Sequence, residues 1–155
     1  MVLGMSLAAY TILHVVIGLI GIASGFVVMY CFLKGKPLNT WTAVFLVTTV
    51  LTSITGFGFP FTHLLPSHKV GIVSLIVLAV AIPARYVFHL AGPWRRTYVI
   101  GSTAALYFNV FVLVVQGFMK VPALHALAPT QTEAPFAVAQ LLVLAARSLC
   151  LAHSP

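Results

Sequence analysis

Five long apolar stretches, residues 7–33, 41–59, 69–90, 98–119 and 136–152, are set apart by short polar punctuation. A hydrocarbon core about 30 Å thick takes about 20 helical residues, so each stretch has the scale of a membrane span. Only helices or closed barrels satisfy their own backbone in lipid, and barrel strands need only about 9–11 residues, so these runs predict helices. The breaks between them carry turn residues: "KGKPLN" (34–39), "FPFTHLLPS" (59–67), "HLAGPWRR" (89–96) and a connector from "VPAL" to "EAP". Connections this short make consecutive helices antiparallel neighbours. The expected architecture is one all-α transmembrane helix bundle over residues 1–155, with four antiparallel spans and a fifth that Arg147 interrupts.

Composition moves this picture firmly into the bilayer. Of 155 residues, 61% are hydrophobic and 6% charged, and the mean hydropathy is +1.12, against roughly 25% charged in an ordinary soluble domain. Eight Lys and Arg stand against one acid, Glu133. In a soluble chain that balance would suggest nucleic acid, but these cations lie in loops between spans, where positive charge sets topology, so nucleic acid is not an expected partner. Lys34, Lys36, Arg85, Arg95 and Arg96 fall on one side, Lys69 and Lys120 on the other. The N-terminus is therefore expected outside, which in a bacterial inner membrane puts residues 59–71 on the periplasmic face. The start, "MVLGMSLAAYTILHVV", has no basic residue before its apolar run, so the first span is expected to remain rather than be cleaved.

The run "FPFTHLLPSHKVGIVSLIVLAVAIPARYVFHLAGPWRRTYV" (59–99), with "LYFNVFVLVVQGFMKVPALHALAPTQTEAPF" (106–136), resembles a group of small uncharacterised bacterial multi-pass inner-membrane proteins. The resemblance implies a bacterial membrane protein of four to five helices and implies no activity. The tail after Leu144 departs from the basic-ended fifth helix expected of that group.

Chemistry is suggested chiefly by histidine. His14, Gly18, Gly21 and Gly25 recur at helical spacing, so they line one face of the first helix. Gly21 to Gly25 is a GxxxG, which lets helices approach closely in lipid. The alternative is a haem b lying over Gly18 and Gly21 with His14 as an axial ligand and His68 as its partner. Topology sets His14, His63, His68 and His125 at one end, so a transition metal held by some of these four is a further expectation. His89 belongs to the opposite, basic end. Ser67 is expected to cap the third helix, and "TQTE" (130–133) fits a capping box before an apolar run.

Thr48, Thr52 and Thr55 on the second helix, and Tyr98, Ser102, Asn109 and Gln116 on the fourth, form polar stripes that bond across helices or line a solute path. Cys31 and Cys150 have no metal-type spacing, and no GxSxG, P-loop or GxGxxG occurs. Three functions follow. A haem- or metal-binding electron-transfer protein ranks narrowly ahead of a structural or assembly subunit of a larger membrane complex or homo-oligomer. A small-solute carrier comes third.

Overall fold

The computed structural model describes residues 2, 4–36, 39–60, 66–141 and 145. His63, Arg147, Cys150 and His153 therefore lie outside the described residues, as does most of the expected fifth span. The described residues form, in order, α1 (Leu7–Leu33), α2 (Asn39–Gly56), α3 (Pro66–Tyr86), α4 (Pro93–Lys120) and the short α5 (Pro122–Leu127). A further helical stretch covers residues 134–141. Among the described residues, three helical spans, Leu7–Phe32, Ser67–Tyr86 and Pro93–Lys120, are long and apolar enough to cross a membrane. The fold is thus an all-helical bundle of membrane-protein character, as the apolar pattern predicts.

Local chemistry explains the ends. Ser6 caps α1, its hydroxyl accepting from the Ala9 amide at 3.2 Å. Pro93 opens α4 at a position where its missing N–H costs nothing, just after Gly92 at φ +51. Before it, Phe88 and Trp94 stack at 3.9 Å across the turn. The expected cap at Ser67 is not formed, because α3 already begins at Pro66 and Ser67 lies inside its first turn. Glu133 also differs from the expected capping box. Its carboxylate does accept from the Thr130 amide, at 3.1 Å, and hydroxyl, at 2.8 Å. The helical stretch starts only after Glu133, however, so these bonds clasp the preceding loop rather than the first helical turn.

The four long helices run antiparallel in sequence order. Along α1 and α2, Gly18 faces Thr52, Gly21 faces Thr48 and Gly25 faces Phe45. The α3 and α4 pair closes through Gly101, where a Cβ would meet Ala81 Cβ at 3.0 Å. Between α2 and α3, Phe57 packs near Gly71, and Arg85 donates to Asn39 Oδ1 at 2.7 Å. The core gathers Val28, Met29, Phe45, Leu46, Leu78, Ala81, Ala84, Tyr98, Ala105 and Leu106. Outside it, apolar side chains such as Ile12, Val47, Ile76 and Ile100 stay exposed, which suits a surface whose solvent is lipid.

The chain then turns back along α4. Gln131 Nε2 donates to Val115 O at 3.1 Å, Phe136 stacks edge-on against Phe118 at 5.4 Å, and Gln140 Nε2 reaches Phe111 O at 3.5 Å. Residues 134–141 therefore climb α4 in the antiparallel sense.

Candidate functional site

The antiparallel order brings the start of α1, the end of α2, the start of α3 and the end of α4 to one end of the bundle. His14, His68 and His125 all lie there, as their positions in the chain require. What they touch separates them. His14 Nδ1 lies 2.8 Å from Thr55 Oγ1, and its ring meets Phe59 edge-on at 5.2 Å. Tyr10, one turn earlier on the same face, donates its hydroxyl to Thr55 O at 2.8 Å and also packs edge-on against Phe59. Gly58 is required here, because a Cβ would run into the Tyr10 hydroxyl.

The hydrogen-bond chain decides which nitrogen of His14 carries its proton. Thr55 Oγ1 lies 2.7 Å from Leu51 O, an acceptor only, so its single proton is directed there. Thr48 and Thr52 back-bond in the same way, to Val44 O at 2.6 Å and Thr48 O at 2.8 Å. Thr55 is then left as acceptor toward His14, which must donate from Nδ1. The Nε2 lone pair is the one that remains for other chemistry, the arrangement in which a second residue fixes a ligating imidazole.

His68 is 4% exposed and stacks at a tilt on Phe57, 5.5 Å between centroids. Thr48, Thr52 and Thr55 carry α1 on one face of α2, while Ser53 and Phe57 carry α3 on another. The end of α2 therefore stands between His14 and His68. His125 is exposed on α5, with Nδ1 at 3.3 Å from Phe118 O. Among the described residues, no group of three or more His, Cys, Asp or Glu side chains comes together.

The glycine stripe is filled from within the chain. A Cβ on Gly21 would sit 3.1 Å from Thr48 Oγ1, 3.5 Å from Thr49 Oγ1 and 3.6 Å from Asn109 Nδ2. Gly18 meets Thr52 at 3.5 Å, and at Gly25 a Cβ would lie 2.7 Å from Leu106 Cδ1 and 2.9 Å from Phe45 Cε2. A macrocycle over Gly18 and Gly21 would need the space that these side chains occupy. The glycines serve close packing of α1 against α2 and α4.

The polar stripes are partly explained by the same seam. Asn109 donates to Thr49 Oγ1 at 3.3 Å, and Thr103 reaches Met29 Sδ at 3.3 Å. Ser102 back-bonds to Tyr98 O at 2.7 Å. Among the described residues, buried Gln116 Oε1 and Gln140 Oε1 meet no hydrogen-bond partner, while Tyr98 lies under the Arg85 guanidinium, 5.3 Å from its ring centroid. Tyr10, Phe59 and Gly58 were not singled out by sequence, although Tyr10 stands four residues before His14 and so on its face. Asn39 and Phe57 had no such signal, because only the fold brings them to Arg85 and His68.

No family model matches the chain, and no curated protein or solved structure is significantly similar to it.

Proposed function

We propose that the chain is a small multi-pass protein of the bacterial inner membrane and a non-catalytic structural component of a membrane assembly. In this reading α1 to α4 all span, residues 134–141 begin a fifth span, and the N-terminus faces outward. The observation that carries it is the seam between α1 and α2. Every glycine of the α1 stripe from Gly18 to Gly25 lies against α2 or α4, and the α2 threonines bond to their own helix or to His14 and Asn109. The glycines and α2 threonines that suggested a cofactor cradle or a solute path are thus used in packing and hydrogen bonding along the seam. The outward surface is apolar and suits lipid or neighbouring helices.

Native mass spectrometry of protein extracted in mild detergent tests the proposal. A complex of fixed stoichiometry, with a partner or with further copies, supports it; a monomer at all detergent and protein concentrations contradicts it.

A second reading is favoured by the His14 geometry alone. With Nδ1 donating to Thr55, the Nε2 lone pair is the one available to ligate a transition metal or a haem iron at the outer end of the α1/α2 seam. An absorption spectrum before and after dithionite, with elemental analysis, decides it. A Soret band or stoichiometric metal, lost in His14→Ala, would establish this reading. Neither signal would remove it.

A further inference from the structure

We infer that the open seam between α2 and α3 is a site for an anionic phospholipid, with one acyl chain in the groove and the headgroup phosphate on Arg85. The groove encloses about 310 Å³. Its α2 wall is a single helical stripe that includes Ala43 and Val47, its floor is the buried Leu46, and its α3 wall is Ile82 and Tyr86. From Ala43 to Leu51 it runs about 12 Å at 1.5 Å per residue.

Volume discriminates between occupants. A helix about 10 Å across would need roughly 900 Å³ over that length, so a neighbouring span would rest on the rim without filling the groove. An extended hydrocarbon chain about 4.5 Å across, the distance at which apolar groups touch, needs roughly 200 Å³ and fits.

Charge specifies the headgroup. Asn39, one turn before Ala43 on the same stripe, accepts from Arg85 Nη2 at 2.7 Å, which puts the pair just beyond the lined stretch, next to Tyr86 in the chain. That bond uses one of the five guanidinium N–H donors, the guanidinium rests over the Tyr98 and Tyr86 rings at 5.3 and 5.8 Å, and its remaining donors suit contact with a phosphate. Among the described residues no carboxylate pairs with Arg85. The chain's single acid, Glu133, is held by Thr130 and Thr132 at the other end of the bundle. Lys34, Lys36, Arg95 and Arg96 fall at the same end of the bundle as Arg85, so that end carries five of the eight basic side chains.

The test reconstitutes the full chain in vesicles of 30% phosphatidylglycerol and 70% phosphatidylcholine. A trace of phosphatidylglycerol with a photoreactive group midway along one acyl chain is included, and labelled peptides are then mapped. Labelling is expected within residues 43–51 and 82–86, with a phosphatidylcholine probe labelling them several times less. Arg85→Gln should cut labelling about fivefold, as expected for one interfacial cation. Arg95→Gln, remote from the groove, should leave it unchanged. Ala43→Phe, which fills the groove without touching the charge, should abolish it even if Arg85→Gln fails to fold. Equal labelling by the two lipids, unchanged labelling in Ala43→Phe, or displacement by inorganic phosphate alone would overturn the inference.

Discussion

One helix, α2, faces two neighbours: it closes along its length against α1, but against α3 only at its C-terminal end. Toward α1 it presents Thr48, Thr52 and Thr55, and the partner face is Gly18 and Gly21, so the two backbones approach until hydroxyls touch glycine. Toward α3 it presents Ala43, Val47, Val50 and Leu51 against Ile82 and Tyr86, and a groove of about 310 Å³ remains. In lipid, apolar side chains gain nothing by leaving the solvent, so helices associate where close packing and hydrogen bonds are available. Small residues and short hydroxyls supply both on the first face. Branched and aromatic side chains without a facing glycine keep the second face apart at the basic end, where Arg85 and Asn39 join it by a single polar contact.

Substitution can break this contrast most sharply at Gly25. A leucine there must displace Phe45, which is fully buried, and Leu106. Overpacking of this kind costs about 1–3 kcal/mol, whereas Ala43→Leu on the open face should change stability by less than about 0.5 kcal/mol, as remote substitutions usually do. Reversible unfolding in mixed micelles, with SDS as denaturant, measures both. Equal costs at the two sites would mean that the faces do not differ in packing.

A smaller effect tests the polar part of the closed seam. Thr49→Val removes the acceptor of Asn109 while keeping the shape of the side chain. An interhelical hydrogen bond in a membrane averages about 0.6 kcal/mol, and the same unfolding assay should return a loss of that order. A double-mutant cycle with Asn109→Ala should give a coupling energy of similar size.

The smallest effect lies outside the bundle. Some loss of hydration pushes the Glu133 carboxyl up, but hydrogen bonds from the Thr130 hydroxyl, the Thr130 amide and the Thr132 amide together hold it below its ordinary 4.5. A carboxyl so depressed stabilises the folded loop fully above that ordinary value, and the contribution fades as pH falls below about 4.5. Glu133→Gln should therefore flatten a slight acid-side loss of protection in amide exchange at residues 130–133. The neutral-pH stability of the α1/α2 seam should not move.

Much of the bundle was legible because span length and loop punctuation are properties of the chain alone. Residues 7–33 coincide with α1, and the break at "HLAGPWRR" falls where α3 ends and α4 begins. Ends set by local competition were harder to read. Pro66 took the first position of α3, displacing Ser67 from the cap, and Glu133 turned its carboxylate back into the loop.

At the candidate site, helical spacing put Gly18, Gly21 and His14 on one face, and that is where they are. Spacing could not tell what lies over the face. A glycine stripe reads the same whether a flat ligand or a threonine stripe covers it, and only the pairing of α1 with α2 decides. The face of α2 that carries each neighbour also placed the end of that helix between His14 and His68, which shared topology alone could not reveal.

The central claim is that the glycine face of α1 is closed by the threonine face of α2 within one chain. Disulfide trapping tests it most directly, with Gly18→Cys and Thr52→Cys introduced after Cys31→Ser and Cys150→Ser. A Cβ at position 18 would lie 3.5 Å from Thr52 Cγ2, within the reach of a disulfide. The account predicts rapid, near-complete crosslinking inside the monomer under mild oxidation in native membranes. Free thiols that persist, or a crosslinked dimer in place of the monomer, would contradict it.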